Sequence, residues 1–182
     1  MSLLEGIDIT AKPTKQITSC SAKDLATLKT KGSRFDVNQL KVKNIAKSWG
    51  LNKIQVAAIM GNFMQESTFN PKKFSPKDRN GYTNYGIAQW NQRYTSVATV
   101  GDTIESQMAY LPETNDYRKW LSDYKSRKDV KYSTFLFASI VEICFECETR
   151  KLFETNKDQC KRTPYAEDFL KRFDDSTDSL YW

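Results

Sequence analysis

Two neighbouring segments of the chain carry the hydrophobic spacing of helices, each with its own start signal. The first follows Asp36, a residue that can cap a helix, and ends at Gly50. The second follows Asn52, and Gln55 three residues later completes the pattern of a capping box. At about 100° per residue, its apolar side chains fall on one face, which comprises Val56, Ile59, Met60 and Phe63. We therefore predict two consecutive helices.

Turn-forming residues dominate the segment after the second helix. Residues 68–85 contain Asn70-Pro71, Ser75-Pro76 and Asn80-Gly81, and such pairs interrupt regular structure and form turns. We expect a small β-hairpin or an irregular loop between residues 70 and 85, next to the end of the second helix.

The second half of the chain again has helical spacing. Helices are predicted over residues 103–111, ending before Pro112, over residues 116–124, and over the strongly apolar residues 132–148. Thr163 as N-cap, with Pro164 at the first helical position, begins a last helix. Its apolar stripe is Tyr165, Phe169, Leu170 and Phe173. The pattern predicts a mainly α fold.

Length and composition favour one domain. A chain of 182 residues with 39% hydrophobic residues can bury one good core, which we place at residues 34–182. Residues 1–33 are polar and lack periodicity, so we expect a weakly ordered N-terminal arm. We find neither an apolar run of about 18 residues nor the pattern of a signal peptide. We therefore expect no membrane span, and delivery by some route other than a signal peptide.

The charge and the histidine content narrow the chemistry. A net charge of +6 suits an anionic partner, such as a nucleic acid, a membrane surface or an acidic cell-wall polymer. The chain has no histidine, which excludes Ser-His-Asp and Cys-His catalysis and leaves carboxylates as acid and base groups. For the four cysteines we favour buried thiols or one structural disulfide over metal or redox chemistry. They are Cys20, Cys144, Cys147 and Cys160, and we expect neither a bound metal nor a cofactor.

Glu66 is the candidate acid. It lies at the end of the second helix, within roughly 20° of Ile59 on the helical wheel, and so at the edge of the apolar face. Partial burial and the negative end of the helix both favour a neutral, protonated carboxyl. The alternative is a solvated or paired glutamate with no chemical role.

Two linked motifs identify a family resemblance. "GNFMQESTFNP" (61–71) followed by "NYGIAQWNQRY" (84–94) closely resembles the lysozyme-like domain of phage tail-associated lysozymes. In that family Asn precedes a helix-ending Glu-Ser, an Asn-Pro loop follows, and Gly-Ile-Ala-Gln-Trp opens the next helix. The similarity continues in "ESQMAYL" and, more loosely, in "FECE" and "RTPYAEDF", covering roughly residues 36–175.

The resemblance implies a fold and a reaction. The fold would be lysozyme-like, α+β but mainly α, with the hairpin or loop beside the catalytic cleft. The reaction would be cleavage of the bond between N-acetylmuramic acid and N-acetylglucosamine in bacterial peptidoglycan, with Glu66 protonating the glycosidic oxygen. The protein would be carried on a phage tail together with other tail proteins, and would need no cofactor.

Further residues are assigned to the site as hypotheses. Asp78 is the candidate second carboxylate, although a turn aspartate has the same pattern, and goose-type lysozymes and lytic transglycosylases tolerate a missing one. Sugar contacts are predicted for Phe69, Tyr82, Tyr85, Gln89 and Trp90. Of these, Phe69 and Trp90 could equally belong to the core. Glu142 and Glu146 form a rival carboxylate pair that we interpret as structural.

Three function classes compete. The first is a virion-borne enzyme that cleaves peptidoglycan by hydrolysis or as a lytic transglycosylase. The second is a non-catalytic tail component that binds the wall with the same fold. The third, a nucleic-acid binder, is disfavoured because the chain has no basic recognition helix, zinc motif or aromatic strand pattern.

Overall fold

A computed structural model describes residues 35–77, 80–141 and 161–174. Over these ranges the chain is mainly helical with one small antiparallel sheet, which confirms the predicted α+β, mainly α class. The α-helices are α1 (Val37–Ser48), α2 (Lys53–Ser67), α3 (Val97–Val100), α4 (Ile104–Tyr110), α5 (Asn115–Ser122), α6 (Val130–Ile140) and α7 (Arg162–Asp174). The strands are β1 (Asn84–Tyr85) and β2 (Trp90–Asn91), and 3-10 turns cover Leu111–Glu113 and Tyr124–Arg127.

The first two helices begin where the sequence predicts. The Asp36 carboxylate accepts a hydrogen bond from the Gln39 backbone N–H at 2.8 Å, and the Asn52 side chain accepts one from Gln55 N–H at 3.0 Å. In both cases the glutamine side chain bonds back to the cap residue, so both are capping boxes. Helix α2 then ends at Ser67, and the C-cap residue Thr68 has a left-handed backbone with φ 52°.

Residues 70–77 and 80–83 form an irregular loop, which is one of the two predicted alternatives, and the hairpin follows this loop. Its register pairs Asn84 with Asn91 and Tyr85 with Trp90; residues 70–85 contribute only strand β1 and a single bridge between Phe74 and Tyr85. The Gly-Ile-Ala-Gln-Trp segment forms the hairpin turn and the start of β2 instead of opening a helix.

Backbone angles explain this difference. Gly86 and Gln89 have positive φ values of 81° and 51°, which close a turn but cannot continue a right-handed helix. The next helix therefore begins only at Val97.

The last helix also begins earlier than predicted. Lys161 supplies the first backbone acceptor, because its carbonyl bonds to Tyr165 N–H at 3.1 Å. Thr163 is thus inside α7 and is not its N-cap. Pro164 is tolerated there because backbone N–H groups in the first turn of a helix have no intrahelical partner to lose. Phe169 and Phe173 of the predicted stripe are buried.

Helix α2 is the centre of the described core. It packs against both α6 and α7, and its residues from Gln55 to Phe63 are all buried. Trp120 closes one side of this core, with its indole N–H bonded to the Ser133 carbonyl at 3.1 Å. The predictions for residues 1–33, for residues 142–148 and for the four cysteines fall outside the described residues. No helix in the described ranges is both long and apolar enough to cross a bilayer.

The crossing of α2 and α7 depends on Gly61, and we predict that Gly61→Ala destabilises the protein. A Cβ at this position would lie 2.7 Å from the Ala166 Cβ, the Ala166 backbone N and the Arg162 carbonyl O. Since two of these are backbone atoms, the helices must separate, which we expect to reduce the free energy of unfolding by about 1–3 kcal/mol. Urea denaturation measures this.

The double variant Gly61→Ala/Ala166→Gly is the matched control. It removes the side-chain clash but leaves both backbone contacts, so it should recover only part of the lost stability. An unchanged urea midpoint for Gly61→Ala alone would show that the helix crossing is not as tight as described.

Candidate active site

Glu66 lies in the last turn of α2 and is partly exposed to solvent. Its side chain is 21% exposed, and its Oε1 accepts a hydrogen bond from Arg162 Nη2 at the start of α7. The two residues are 96 positions apart in the sequence. Glu66 is thus mostly enclosed by protein but partly open to solvent, a placement from which its carboxyl group can contact a bound molecule.

Arg162 connects Glu66 to the core of the helical bundle. Its side chain is buried, and Nη1 donates to Asn62 Oδ1 at 2.8 Å. Asn62 is fixed in turn, because its Nδ2 donates to the carbonyls of Ala58 at 2.8 Å and Thr134 at 3.2 Å. Residues four apart on a helix share a face, so Asn62 and Glu66 present adjacent acceptors to one guanidinium.

The ion pair changes the electrostatic interpretation of Glu66. The sequence indicates partial burial and a negative helix end, and both disfavour a charged carboxylate. The structure adds the Arg162 guanidinium in direct contact with the Glu66 carboxylate. The burial is confirmed, whereas the opposing charge comes from a residue that no local pattern connects to Glu66.

The end of α2 is tied to the loop and the hairpin. Lys73 Nζ donates to the Glu66 carbonyl O at 2.6 Å, and Ser67 Oγ donates to the Ile87 carbonyl O in the hairpin turn at 3.0 Å. Gly86 N–H bonds back to the Lys73 carbonyl at 2.9 Å. The loop and hairpin turn are therefore next to Glu66, as predicted.

Gln107 on α4 holds three separate segments around the hairpin. Its side chain is fully buried. Its Oε1 accepts from Ile87 N–H at 2.8 Å, and its Nε2 donates to the carbonyls of Pro71 at 2.6 Å and Gly101 at 2.9 Å. Gly86 makes this approach possible, since a Cβ there would lie 2.6 Å from Gln107 Oε1.

Three of the predicted sugar-contacting residues are inside the protein. Phe69 is fully buried and packs edge-to-face on Phe169, with ring centroids 5.9 Å apart, so it is a core residue in this structure. Gln89 is nearly buried, and its Nε2 donates to the carbonyls of Lys73 at 3.1 Å and Gly86 at 2.8 Å. Its amide nitrogen therefore closes the hairpin turn.

Tyr85 is buried as well and packs on Phe74, with ring centroids 4.5 Å apart. Burial, and then the negative charge of Asp102, raise the pKa of the Tyr85 phenol, while Lys72 acts in the opposite direction. The ring lies between its neighbours and presents no open face for stacking.

Two predicted residues do reach the surface. Tyr82 is exposed, and the Arg93 guanidinium lies 5.9 Å from its ring centroid and 5.6 Å from that of Tyr94. Trp90 is partly buried and packs edge-to-face on Tyr110 at 5.6 Å. Tyr82, Arg93 and Tyr94 form an exposed group at the open end of the hairpin.

The remaining predicted carboxylates cannot be placed. Asp78, Glu142 and Glu146 lie outside the described residues. Within the described ranges, no group of three or more Cys, Asp or Glu side chains is arranged to hold a metal ion.

Sequence reasoning missed three residues that build the site: Arg162, Lys73 and Gln107. Arg162 begins "RTPYAEDF" and Gln107 is inside "ESQMAYL", two segments in which the family resemblance continues. That resemblance marked the segments, but only the fold shows which side chains meet Glu66 and the hairpin.

The arrangement supports proton transfer by a carboxyl held at a helix end.

In a comparison with protein families, the model described as phage tail lysozyme matches residues 37–173. No curated protein and no solved structure matches the chain. The matched region includes α2, the hairpin and α7, and so every described residue of the candidate site.

Proposed function

Because the chain belongs to the phage tail lysozyme family, we propose that it is a muramidase carried on a phage tail, with Glu66 as its general acid. The family itself supports a lysozyme-like action that degrades peptidoglycan. The observation that carries the finer proposal is the placement of Glu66: its carboxylate is partly exposed at a helix end, with one oxygen held by protein.

The two carboxylate oxygens of Glu66 have different roles in this proposal. Oε1 is held by Arg162. Within the described part of the chain, Oε2 accepts no hydrogen bond, so it is the atom that carries and donates the proton. The proton passes to the glycosidic oxygen as the bond to the anomeric carbon breaks, and positive charge develops on the sugar ring.

A second group must then complete the reaction. If water attacks the anomeric carbon, the product is a reducing sugar. If the 6-hydroxyl of the same muramic acid attacks, the product is an anhydro sugar and the enzyme is a lytic transglycosylase. Asp78, twelve residues after Glu66, is the candidate for stabilising the developing charge or activating the nucleophile.

The surface beyond the hairpin is the proposed contact with the glycan. Tyr82 offers an exposed ring, and sugars stack their C–H faces on such rings. The net charge of +6 suits a wall rich in carboxylates and acidic polymers. Partners would be peptidoglycan and other phage tail proteins, and the protein would be found in virions, which immunodetection on purified particles checks.

We expect the purified protein to reduce the turbidity of a peptidoglycan suspension and to release soluble muropeptides. Mass spectrometry of these products identifies the reaction, because an anhydro product is lighter by one water than a hydrolysis product. A protein that binds walls from every tested host but releases no fragments would overturn the proposal.

The ion pair between Glu66 and Arg162 also fits a second candidate function. A wall-binding tail component could retain Glu66 as a structural residue that joins α2 to α7. Such a protein would sediment with peptidoglycan and leave the turbidity unchanged. Sedimentation and turbidity, measured on the same sample, therefore distinguish the two functions.

A further inference from the structure

Arg162 is a buried charge in direct contact with the candidate acid. Its side chain is 2% exposed, and its guanidinium joins Asn62 at 2.8 Å to the Glu66 carboxylate. Removing a guanidinium from water costs several kcal/mol, and apolar residues of similar volume often replace buried ion pairs without loss of stability. Stability alone is therefore a weak reason for an arginine at this position.

The geometry fixes the guanidinium rigidly. The planar guanidinium presents its N–H donors at fixed angles. Its partner Asn62 is held in place by hydrogen bonds to two backbone carbonyls, one of α2 and one of α6. Rotation of Arg162 away from Glu66 would also break the bond to Asn62. The guanidinium therefore fixes the position of Glu66 Oε1, while the Glu66 side chain as a whole remains 21% exposed.

We propose that Arg162 is the positioning residue of Glu66: it holds one carboxylate oxygen and stabilises the negative charge that remains after Glu66 has donated its proton. This inference rests on the proposed function of Glu66 as general acid. A nearby positive charge makes the carboxyl a stronger acid toward the leaving oxygen, but it also promotes loss of the proton to solvent at lower pH.

Among the described residues, two charged side chains contact Glu66. In the described ranges, the charged side chains that contact it are Arg162 from α7 and Lys73 from the loop, whose Nζ lies 2.6 Å from the Glu66 carbonyl O. Helix α6 approaches the cluster through the Thr134 carbonyl. The pair formed by Lys131 of α6 and Glu167 of α7, 3.5 Å apart, is internally neutral.

Wall-lysis rates across pH test the inference in three variants. Arg162→Gln removes the charge, so we expect the maximal rate to fall by about 10- to 100-fold and the alkaline limb of the profile to move to higher pH. Arg162→Lys keeps the charge but cannot span both partners, so its alkaline limb should stay near the parental position while its rate falls. Arg172→Gln is the matched control, because it removes the same group from a partly exposed ion pair with Asp168 on the same helix.

A second readout does not depend on catalysis. In protein labelled with ¹³C-glutamate, the carboxyl resonance missing from Glu66→Gln identifies Glu66, and its titration is followed by NMR. We expect its midpoint to rise in Arg162→Gln and to change little in Arg162→Lys or Arg172→Gln. If the parental protein does not cleave peptidoglycan, this titration still decides whether Arg162 controls the charge of Glu66.

Two results would overturn the inference. One is a folded Arg162→Gln protein with parental rate, pH profile and Glu66 titration. The other is an equal loss of rate in the Gln and Lys variants with both alkaline limbs unmoved, which would indicate a purely structural arginine. If Arg162→Gln does not fold, the test rests on Arg162→Lys alone. A parental maximal rate in Arg162→Lys would then overturn the inference, because it would show that the guanidinium group is not needed to position Glu66.

Discussion

Glu66→Gln is expected to reduce the rate of peptidoglycan cleavage by about 10²- to 10⁴-fold, the usual contribution of a positioned general acid. Glutamine keeps the size of the side chain and can still accept the Arg162 hydrogen bond through its amide oxygen, but it has no carboxyl proton to give. The measurement is the initial rate of turbidity loss of purified peptidoglycan, with circular dichroism to confirm the helical content.

Glu167→Gln is the matched control for this loss. It makes the same chemical change on α7, where Glu167 is exposed and pairs with Lys131 at 3.5 Å. Surface pairs contribute about 0–1 kcal/mol to stability, so we expect parental activity. A folded Glu66→Gln protein that clears peptidoglycan at the parental rate would place the acid elsewhere, with Glu142 and Glu146 as the next residues to replace.

Gln107→Leu should lower the free energy of unfolding by about 3 kcal/mol or more. Leucine fills a similar volume but leaves Ile87 N–H and the carbonyls of Pro71 and Gly101 without their partner. Each buried polar group left unpaired costs about 1–3 kcal/mol. Solvent can reach the partly buried carbonyls and replace part of their lost hydrogen bonding. We therefore expect the total loss of stability for the three groups to lie near the lower end of their summed range. Urea denaturation gives the change in stability.

The same variant should slow wall lysis, because Gln107 holds the Asn-Pro loop and the hairpin turn that contact the end of α2. Gln92→Leu is the matched control: Gln92 is only partly buried, and its side chain accepts one bond, from Thr83 Oγ1 at 3.0 Å. We expect Gln92→Leu to lower the free energy of unfolding by about 1 kcal/mol or less. Equal destabilisation by the two variants would contradict the role assigned to Gln107.

Local signals explain what could be predicted about the fold. The starts of α1 and α2 were correct because a capping box is closed by residues three apart, so all of its information lies in a few consecutive positions. The start of α7 was wrong by two residues, since Thr163 is a common cap but the helix takes its first acceptor from Lys161. The expectation that Gly-Ile-Ala-Gln-Trp opens a helix was wrong, because Gln89 adopts a positive φ that its residue type does not predict.

The candidate site was predictable only in part. Glu66 was identified from its place at the end of an apolar helix and from the motif around it. The aromatic residues near it were assigned to sugar binding from their type and their place in the motif. Neither signal distinguishes an aromatic ring in the core, such as Phe69, from an exposed one, such as Tyr82. Burial depends on which segments pack over a residue, and those segments are distant in the chain.

By itself, the sequence determined the mainly helical class, the limits of α1 and α2, and a carboxylate at the end of α2, since all of these follow from contacts within one or two helical turns. The tertiary structure decided the environment of that carboxylate. Gly61 lets α7 approach α2 closely, and this brings Arg162 onto Asn62 and Glu66, which are 100 and 96 residues away in the sequence. The pairing arises from helix packing, because no local pattern specifies which distant side chain will share a buried space.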